Sequence, residues 1–203
     1  MYDRFGKRGL DILGAAAALL LLSPFFVVVA LAVAVALGRP VLFRQERAGR
    51  GGQPFTLLKF RSMRDGPGDD AARLTRFGRA LRASALDELP QIVNVLRGEM
   101  SLVGPRPLPM AYTALYSARQ RLRLVVRPGL AGVAQAAGRN GVPWDLRLEL
   151  DAVYAAAPQA SLSRDLRAMA GTLAILLKRR GVTGPGHATM PAFTGPAPQP
   201  ADE

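Results

Sequence analysis

The segment ILGAAAALLLLSPFFVVVALAVAVALG, residues 12–38, is the longest stretch of the chain without a charged side chain, and it constrains how the rest can be arranged. As a straight helix its 27 residues would extend about 40 Å, more than the ~30 Å hydrocarbon core of a bilayer. The segment therefore predicts a membrane helix. Its length and the basic sequence after it disfavour a cleaved signal peptide.

Ser23 and Pro24 lie near the middle of this segment. Proline lacks an N–H donor and its ring clashes with the preceding turn, so we expect the helix to break there, with the serine hydroxyl satisfying freed backbone groups. Each half alone is too short to cross, and both flanks are basic, which favours the cytoplasmic side for both ends. A re-entrant helix and a kinked span stay open as alternatives.

Composition excludes several kinds of site. The 203 residues include no cysteine and one histidine, His187, which removes disulfides and thiolate metal sites and disfavours a histidine zinc site or a Ser-His-Asp triad. Lys and Arg total 27 against 15 Asp and Glu, a formal net charge of +12. This excess indicates an anionic partner, which could be nucleic acid, an anionic leaflet or a phosphorylated substrate, unless it is simply a solubilising basic surface.

The remaining sequence predicts an α+β, mostly helical fold. PVLFRQ and PFTLLKF, joined by AGRGGQ, predict a β-hairpin with Lys59 and Arg61 on one face of its second strand. ARLTRFGRALRAS predicts one amphipathic helix whose cationic face lies on an anionic surface or in water. WDLRLELDAVY and SRDLRAMAGTLAILLKRRG predict two more helices, the first beginning at Trp144, a residue type common at membrane interfaces. The last twenty residues contain five prolines and predict an extended tail.

An acidic pair, Asp87 and Glu88, stands out in this basic chain. DELPQIVNVLRGE predicts a helix that begins at Pro90 and ends at Gly98. The pair would then lie at the helix N-terminus, where the helix dipole favours acidic side chains, and that effect alone could explain it.

Three arginines in stiff or glycine-flanked loops point to a different explanation. Arg106 lies between two prolines, Arg127 precedes Pro-Gly, and Arg139 with Asn140 lies between glycines. Such arginines suit multidentate contacts to phosphate. A carboxylate pair near several arginines would suit a divalent cation and a diphosphate.

The order of these motifs resembles the small monotopic phosphoglycosyl transferases, a bacterial sugar transferase family that starts membrane glycoconjugate assembly. The resemblance covers nearly the whole chain, and the run from Ser84 to Pro107 is its most specific part. The segments that carry it are KRGLDILGAAAALLLLSPFF, LFRQERAG, LLKFRSMR, SALDELPQIVNVLRGEMSLVGPRPL, VRPGLAGVAQAAGRN and ELDAVYA.

The resemblance implies a reaction and residues for it. Asp87 would be the nucleophile that attacks the β-phosphate of a UDP-sugar, giving UMP and a covalent phosphosugar that polyprenyl (undecaprenyl) phosphate then accepts. Glu88, with Asp87, would hold Mg²⁺. Arg106 and Arg139 would bind nucleotide or phosphate groups, with Lys59, Arg61 and Arg127 as weaker candidates.

The resemblance also implies a location and an organisation. Residues 1–40 would form a re-entrant membrane helix broken at Ser23-Pro24 with its basic flanks, 41–183 a catalytic domain with amphipathic interface helices, and 184–203 a Pro-rich tail. The protein would lie on the cytoplasmic face of the bacterial inner membrane. Its partners would be a UDP-sugar, polyprenyl phosphate and the phospholipid bilayer, without nucleic acid, and its oligomeric state is left open.

The donor sugar is the least constrained prediction. The tail GVTGPGHATMPAFTG resembles the branch that acts on UDP-di-N-acetylbacillosamine, which makes that donor the first expectation. The same reaction with N-acetylglucosamine, N-acetylgalactosamine or galactose donors is an alternative. A non-enzymatic, membrane-anchored basic binding protein is another, although it leaves the spacing of the acidic pair and the arginines unexplained.

Overall fold

The computed structural model describes Tyr2, residues 6–178, Gly181 and residues 190–195. The prediction for His187, and most of that for the tail, lies outside these residues. The α-helices are α1 (Lys7–Leu37), α2 (Asp70–Arg73), α3 (Arg76–Ala83), α4 (Gln91–Arg97), α5 (Ala118–Arg121), α6 (Val133–Gly138), α7 (Trp144–Ala156) and α8 (Leu162–Leu177). The strands are β1 (Leu42–Ala48), β2 (Pro54–Phe60), β3 (Ser101–Val103) and β4 (Gly129–Ala131).

Helix α1 is a single helix of 31 residues that continues through Pro24. Proline cannot bond the carbonyl four residues earlier, which is that of Leu20. The Ser23 hydroxyl donates to this Leu20 oxygen at 2.8 Å and replaces the missing bond locally. The predicted break into two helical segments is therefore wrong, for this reason, while re-entrant topology stays a prediction.

One face of α1 packs lengthwise on the rest of the protein. Ala15 lies in an apolar cluster with Val95 and Met100, and Val33 lies in another with Phe60. The other face exposes Leu13, Leu20, Leu21, Phe25, Val28, Leu31 and Val35. In the described residues, α1 is the one helix long and apolar enough to cross a membrane, and its exposed face is consistent with a monotopic anchor.

The predicted hairpin is confirmed. Strands β1 and β2 pair antiparallel, with Leu42 opposite Phe60 and Ala48 opposite Pro54. Strand β2 buries residues on both of its faces: Phe55 and Leu57 lie in the apolar cluster with Ala15, and Phe60 lies in the cluster with Val33. The hairpin therefore packs against α1 through residues of both faces.

The predicted amphipathic helix is two helices, α2 and α3, and not one. Leu74 is extended, with ψ 102°, and the Thr75 hydroxyl accepts from Gly78 N at 3.0 Å. A threonine that caps a new helix in this way ends the preceding one. The helix over 91–97, with Gly98 at its C-terminus in a left-handed conformation, is confirmed, as are α7 and α8.

A short parallel pair, β3 and β4, was not predicted. Three glycines pack backbone against backbone beside it. A Cβ on Gly129 would lie 2.0 Å from Gly104 N, and one on Gly132 would lie 2.4 Å from Gly104 O. A Cβ on Gly104 would lie 2.4 Å from Arg127 O, so none of the three positions accepts a side chain without displacing the backbone.

The domain boundaries at residues 40 and 183 stay predictions. The role of amphipathic helices at a membrane interface also stays a prediction. Helix α8 does leave Leu166, Leu173 and Leu177 exposed.

Candidate active site

A cavity of about 440 Å³ is lined by residues of both hairpin strands, among them Gln45, Arg47 and Lys59. Its other walls come from the turn before α4, the loop after β3 and the start of α7. Its charged lining side chains are Arg47, Lys59, Arg61, Arg73, Arg82, Arg106, Arg139, Arg147, Asp65, Asp70, Asp87 and Glu88. Among the described residues, eight positive against four negative lining groups favour the binding of anions.

The acidic pair reaches this cavity through local backbone geometry. Ala85 follows α3 in a left-handed conformation, φ 56°, and reverses the chain into a 3₁₀ turn over Leu86–Glu88. The turn places Asp87 in the cavity wall with 5% of its surface exposed. Helix α4 begins only at Gln91, so the pair lies before its first turn.

Glu88 is held by two cations. Lys59 Nζ lies 3.0 Å from its Oε1, and Arg106 forms a forked contact, with Nη1 3.2 Å from Oε2 and Nη2 on Oε1. Burial alone would raise the pKa of Glu88, but Arg106 and Lys59 together hold it well below its usual range. Glu88 is therefore an ionised, fixed carboxylate.

Asp87 is in the opposite situation. Among the described residues, no side chain or backbone N–H donates a hydrogen bond to its carboxylate. Burial raises the pKa of Asp87 to about 6 against the attraction of Lys59, and the neighbouring Glu88 charge adds to the rise. Two adjacent carboxylates thus differ strongly in basicity. Asp87 is the more basic, and its lone pairs are available to a bound electrophile.

The backbone carbonyl of Arg106 is held by a buried ion pair. Arg123 Nη2 donates to the Arg106 carbonyl at 2.6 Å and to Asp151 Oδ2 at 2.9 Å. Arg123 and Asp151 are both almost fully buried. Because this ion pair and the glycine contacts beside β3 hold the backbone of the loop, the guanidinium of Arg106 is presented to Glu88 in one position.

Other cavity arginines carry unused donors. Within the described part of the chain, Arg139 Nη1 and the Nε atoms of Arg47, Arg61 and Arg147 are buried without a hydrogen-bond partner. Buried donors are rarely left unpaired, and a bound anion would satisfy them. Arg139, predicted from its glycine-flanked loop, belongs to this group.

The structure treats the two weaker arginine candidates differently. Arg61 lines the cavity but also holds the end of α1, because its Nη2 donates to the Leu37 carbonyl. Arg127 does not line the cavity. Its Nε donates to Gly98 O at 2.8 Å, since the strand pairing of β4 turns it toward the end of α4. Its predicted contact with a phosphate group therefore stays a prediction.

Several lining residues were missed from the sequence. Arg82 was assigned to a cationic helix face, yet it lines the cavity and its Nε donates to Ser62 Oγ at 2.9 Å. Trp144, which the sequence predicts at a membrane interface, lines the cavity beside a segment that we call the C-terminal strap, residues 190–195. The place of Trp144 at an interface stays a prediction. No local pattern identifies either residue, because each depends on chain segments distant in sequence.

The resemblance implies that this site binds Mg²⁺. The described residues contain no group of three or more acidic or histidine side chains that could hold a metal. Mg²⁺ is, however, commonly bound through one or two carboxylates together with substrate phosphates and water. The adjacent Asp87 and Glu88 fit that mode, so these residues are compatible with a Mg²⁺ held largely by a bound phosphorylated substrate.

Comparison with known proteins gives a consistent result. Residues 2–179 match the family described as bacterial sugar transferase. The chain is 43% identical over 188 residues to the uncharacterized sugar transferase EpsL of Bacillus subtilis, covering 88% of this chain and 92% of that protein. It is 44% identical over 187 residues to the UDP-glucose:undecaprenyl-phosphate glucose-1-phosphate transferase of Caulobacter vibrioides, covering 84% and 69%. It is 37% identical over 202 residues to the UDP-galactose-lipid carrier transferase of Erwinia amylovora, covering 88% and 42%.

Proposed function

The chain belongs to the bacterial sugar transferase family, and we propose that it moves a sugar-1-phosphate from a UDP-sugar to undecaprenyl phosphate and releases UMP. The names of its relatives support this general reaction. The observation that carries the proposal is the pairing of a basic, unbonded Asp87 with an ionised Glu88, inside a cavity whose arginines have unused donors.

In the first step Asp87 attacks the β-phosphorus of the UDP-sugar. A bond forms between a carboxylate oxygen and this phosphorus, and the bond to the oxygen bridging the two phosphates breaks. UMP leaves with that oxygen and its electron pair, and the sugar phosphate stays on Asp87 as an acyl phosphate. The free arginine donors neutralise the diphosphate, which would otherwise repel an attacking carboxylate.

In the second step a phosphate oxygen of undecaprenyl phosphate attacks the same phosphorus. The acyl–phosphate bond breaks, Asp87 returns to its carboxylate form, and undecaprenyl-diphosphate-sugar is the product. No water enters and no net proton is taken up, so the site needs no histidine.

Glu88 and the two cations that bind it determine the charges next to Asp87. Lys59 and Arg106 keep Glu88 charged, and in return Glu88 holds both cations beside Asp87. A Mg²⁺ bound there with the donor would withdraw charge from the phosphates and stabilise the leaving UMP. We propose this ion as the cofactor.

The apolar face of α1 supports membrane association. We propose that α1 lies in the cytoplasmic leaflet of the bacterial inner membrane with both ends on the cytoplasmic side, because the same helix packs lengthwise on the domain that carries the cavity. A lipid phosphate at headgroup depth would then be close to the cavity.

Two classes of donor sugar are proposed, each with a different kind of support. A UDP-hexose such as UDP-glucose or UDP-galactose is supported by the names of the relatives. UDP-di-N-acetylbacillosamine is supported by the resemblance of the tail, whose residues 182–189 lie outside the described part. N-acetylglucosamine and N-acetylgalactosamine donors complete the set to be tested.

The deciding experiment measures UMP release by the full chain in nanodiscs with undecaprenyl phosphate and each of these UDP-sugars. Release with one donor, abolished by chelating Mg²⁺, is the expected result. Intact mass spectrometry without the lipid acceptor should show one phosphosugar added to the chain. A folded protein that releases no UMP with any donor, with or without Mg²⁺, would contradict the proposal and favour the binding-protein alternative.

A further inference from the structure

The C-terminal strap forms one wall of the cavity, and we propose that this wall binds the uridine part of the donor. The strap residues Met190 and Pro191 line the cavity beside Trp144, and Pro191 follows Trp144 by 47 residues along the chain. The inference rests on the proposed function, because it assigns one part of the proposed donor to one part of the same cavity.

The strap is fixed by specific contacts. Phe193 is 3% exposed, and its ring centre lies 5.4 Å from that of Trp144 and 5.7 Å from that of Tyr112. Trp144 Nε1 donates to Pro191 O at 3.0 Å. One buried ring and one hydrogen bond therefore keep the strap against the cavity, with Phe193 as its anchor.

The chemistry of this wall matches a uracil better than a sugar. Among the described residues, the side chains of this wall offer aromatic and apolar surface together with N–H and O–H donors and include no carboxylate: Arg47, Tyr112, Trp144, Arg147, Met190 and Pro191. A uracil ring presents flat faces that stack on aromatic side chains, and two carbonyl oxygens that accept hydrogen bonds. Sugar hydroxyls also need hydrogen-bond acceptors. None of these side chains carries a carboxylate that could accept from them.

Two arginines are available to those carbonyl oxygens. The Arg147 guanidinium lies 5.1 Å from the Trp144 ring centre, and its Nε is buried without a partner in the described part of the chain. Arg47 Nε is likewise buried without a hydrogen-bond partner among the described residues. A planar arginine stacked on an indole is preorganised to donate in the plane of a neighbouring base.

The chain provides its own probe for a test. Trp144 is the single tryptophan, so the intrinsic fluorescence of the full chain in nanodiscs reports on this wall alone. We expect UMP, titrated without any donor sugar or lipid acceptor, to change that emission saturably. Phe193→Ala should shift the emission to longer wavelength, because Trp144 loses a covering ring, and should raise the Kd for UMP roughly tenfold.

Two further variants control for unfolding. Met190→Ala keeps the Phe193 anchor and shortens one lining side chain, so UMP binding should weaken by about threefold. Phe25→Ala makes the same substitution as Phe193→Ala on the exposed face of α1, and the Kd for UMP should not change.

The outcomes separate this inference from the proposed function. A wild-type chain that binds no UMP, checked by equilibrium dialysis, overturns this inference, while UMP release with a donor still supports the proposed function. A wild type that binds UMP, with Phe193→Ala and Met190→Ala binding it equally well, overturns the strap assignment alone. A changed preference among UDP-sugars with an unchanged Kd for UMP also overturns it, because the wall would then contact the sugar.

Discussion

At the scale of single residues, Asp87 differs from its neighbour by what surrounds its carboxylate. We predict that Asp87→Asn lowers UMP release by about a thousandfold or more and abolishes the covalent phosphosugar, because the amide is a far weaker nucleophile. The folded state should not suffer, since the change removes a buried charge that has no hydrogen bond. UMP release, intact mass and the Tm check this, and appreciable turnover in a clean preparation would exclude Asp87 as the nucleophile.

The matched substitution at the adjacent position should behave differently. Glu88→Gln leaves Lys59 and Arg106 buried without their shared counter-charge. We therefore expect a lower Tm than for Asp87→Asn, together with weaker donor binding seen as a higher KM. Equal Tm values for the two variants would mean that the Glu88 ion pairs do not stabilise the fold.

Acidification should affect activity and stability in opposite directions at Asp87. Its raised pKa predicts that kcat/KM falls as pH drops through about 6, because the protonated carboxyl cannot attack. The folded protein binds this proton more tightly than the unfolded chain does. The Asp87 contribution to the free energy of unfolding therefore rises as pH falls from above about 6 toward the unfolded pKa of about 4. A pH–rate profile and urea unfolding of wild type and Asp87→Asn test both effects, and an acidic limb near pH 4 would mean that Asp87 is not desolvated.

At the scale of secondary-structure elements, α1 carries the clearest question of topology. The chain has no cysteine, so single cysteines at Gly9 and Arg39 can be labelled without background. We predict that an impermeant maleimide reaches both from the same side of sealed vesicles. Pro24→Ala should leave both labels on the same side, because α1 already continues through Pro24 and packs lengthwise on the domain. Labels on opposite sides in Pro24→Ala alone would show that this proline sets the topology.

The ion pair between Arg123 and Asp151 joins α7 to the turn before β4. Asp151→Asn leaves a buried guanidinium without its counter-ion, which should cost about 3–5 kcal/mol of the free energy of unfolding. Because Arg123 also holds the Arg106 carbonyl, the KM for the donor should rise as well. Urea unfolding and donor kinetics measure the two effects. The double variant Arg123→Met, Asp151→Leu should recover stability, and failure to do so would indicate a packing defect.

Sequence patterns predicted those parts of the site that local rules govern. The acidic pair, the proline-flanked Arg106 and the helix that ends at Gly98 follow from caps, turns and periodicity. Ser23 shows the limit of such rules, since one side-chain hydrogen bond cancels the helix break expected at Pro24. Arg82 and Trp144 could not be assigned, because the cavity that they line is closed by distant segments. The strands β3 and β4, three residues each, are too short for a period to be recognised.

At the scale of the whole molecule, α1 is part of the core as well as an anchor. We predict that a chain starting at residue 39 does not fold on its own, because it would expose the apolar surfaces around Val95, Met100 and Phe60. Circular dichroism and hydrogen exchange of this fragment in detergent check the expectation. A stable fragment with native exchange protection would show that α1 is a detachable anchor.

The three glycines that touch beside β3 affect how this sequence can change over evolutionary time. Gly104, Gly129 and Gly132 are each blocked by backbone atoms, so a side chain at one position cannot be compensated by trimming a neighbour. Mutations there should be removed by selection whatever sugar a descendant uses. Lineages derived from this protein should therefore keep the three glycines unchanged, and they should keep the strap anchor Phe193 as long as the donor carries uridine.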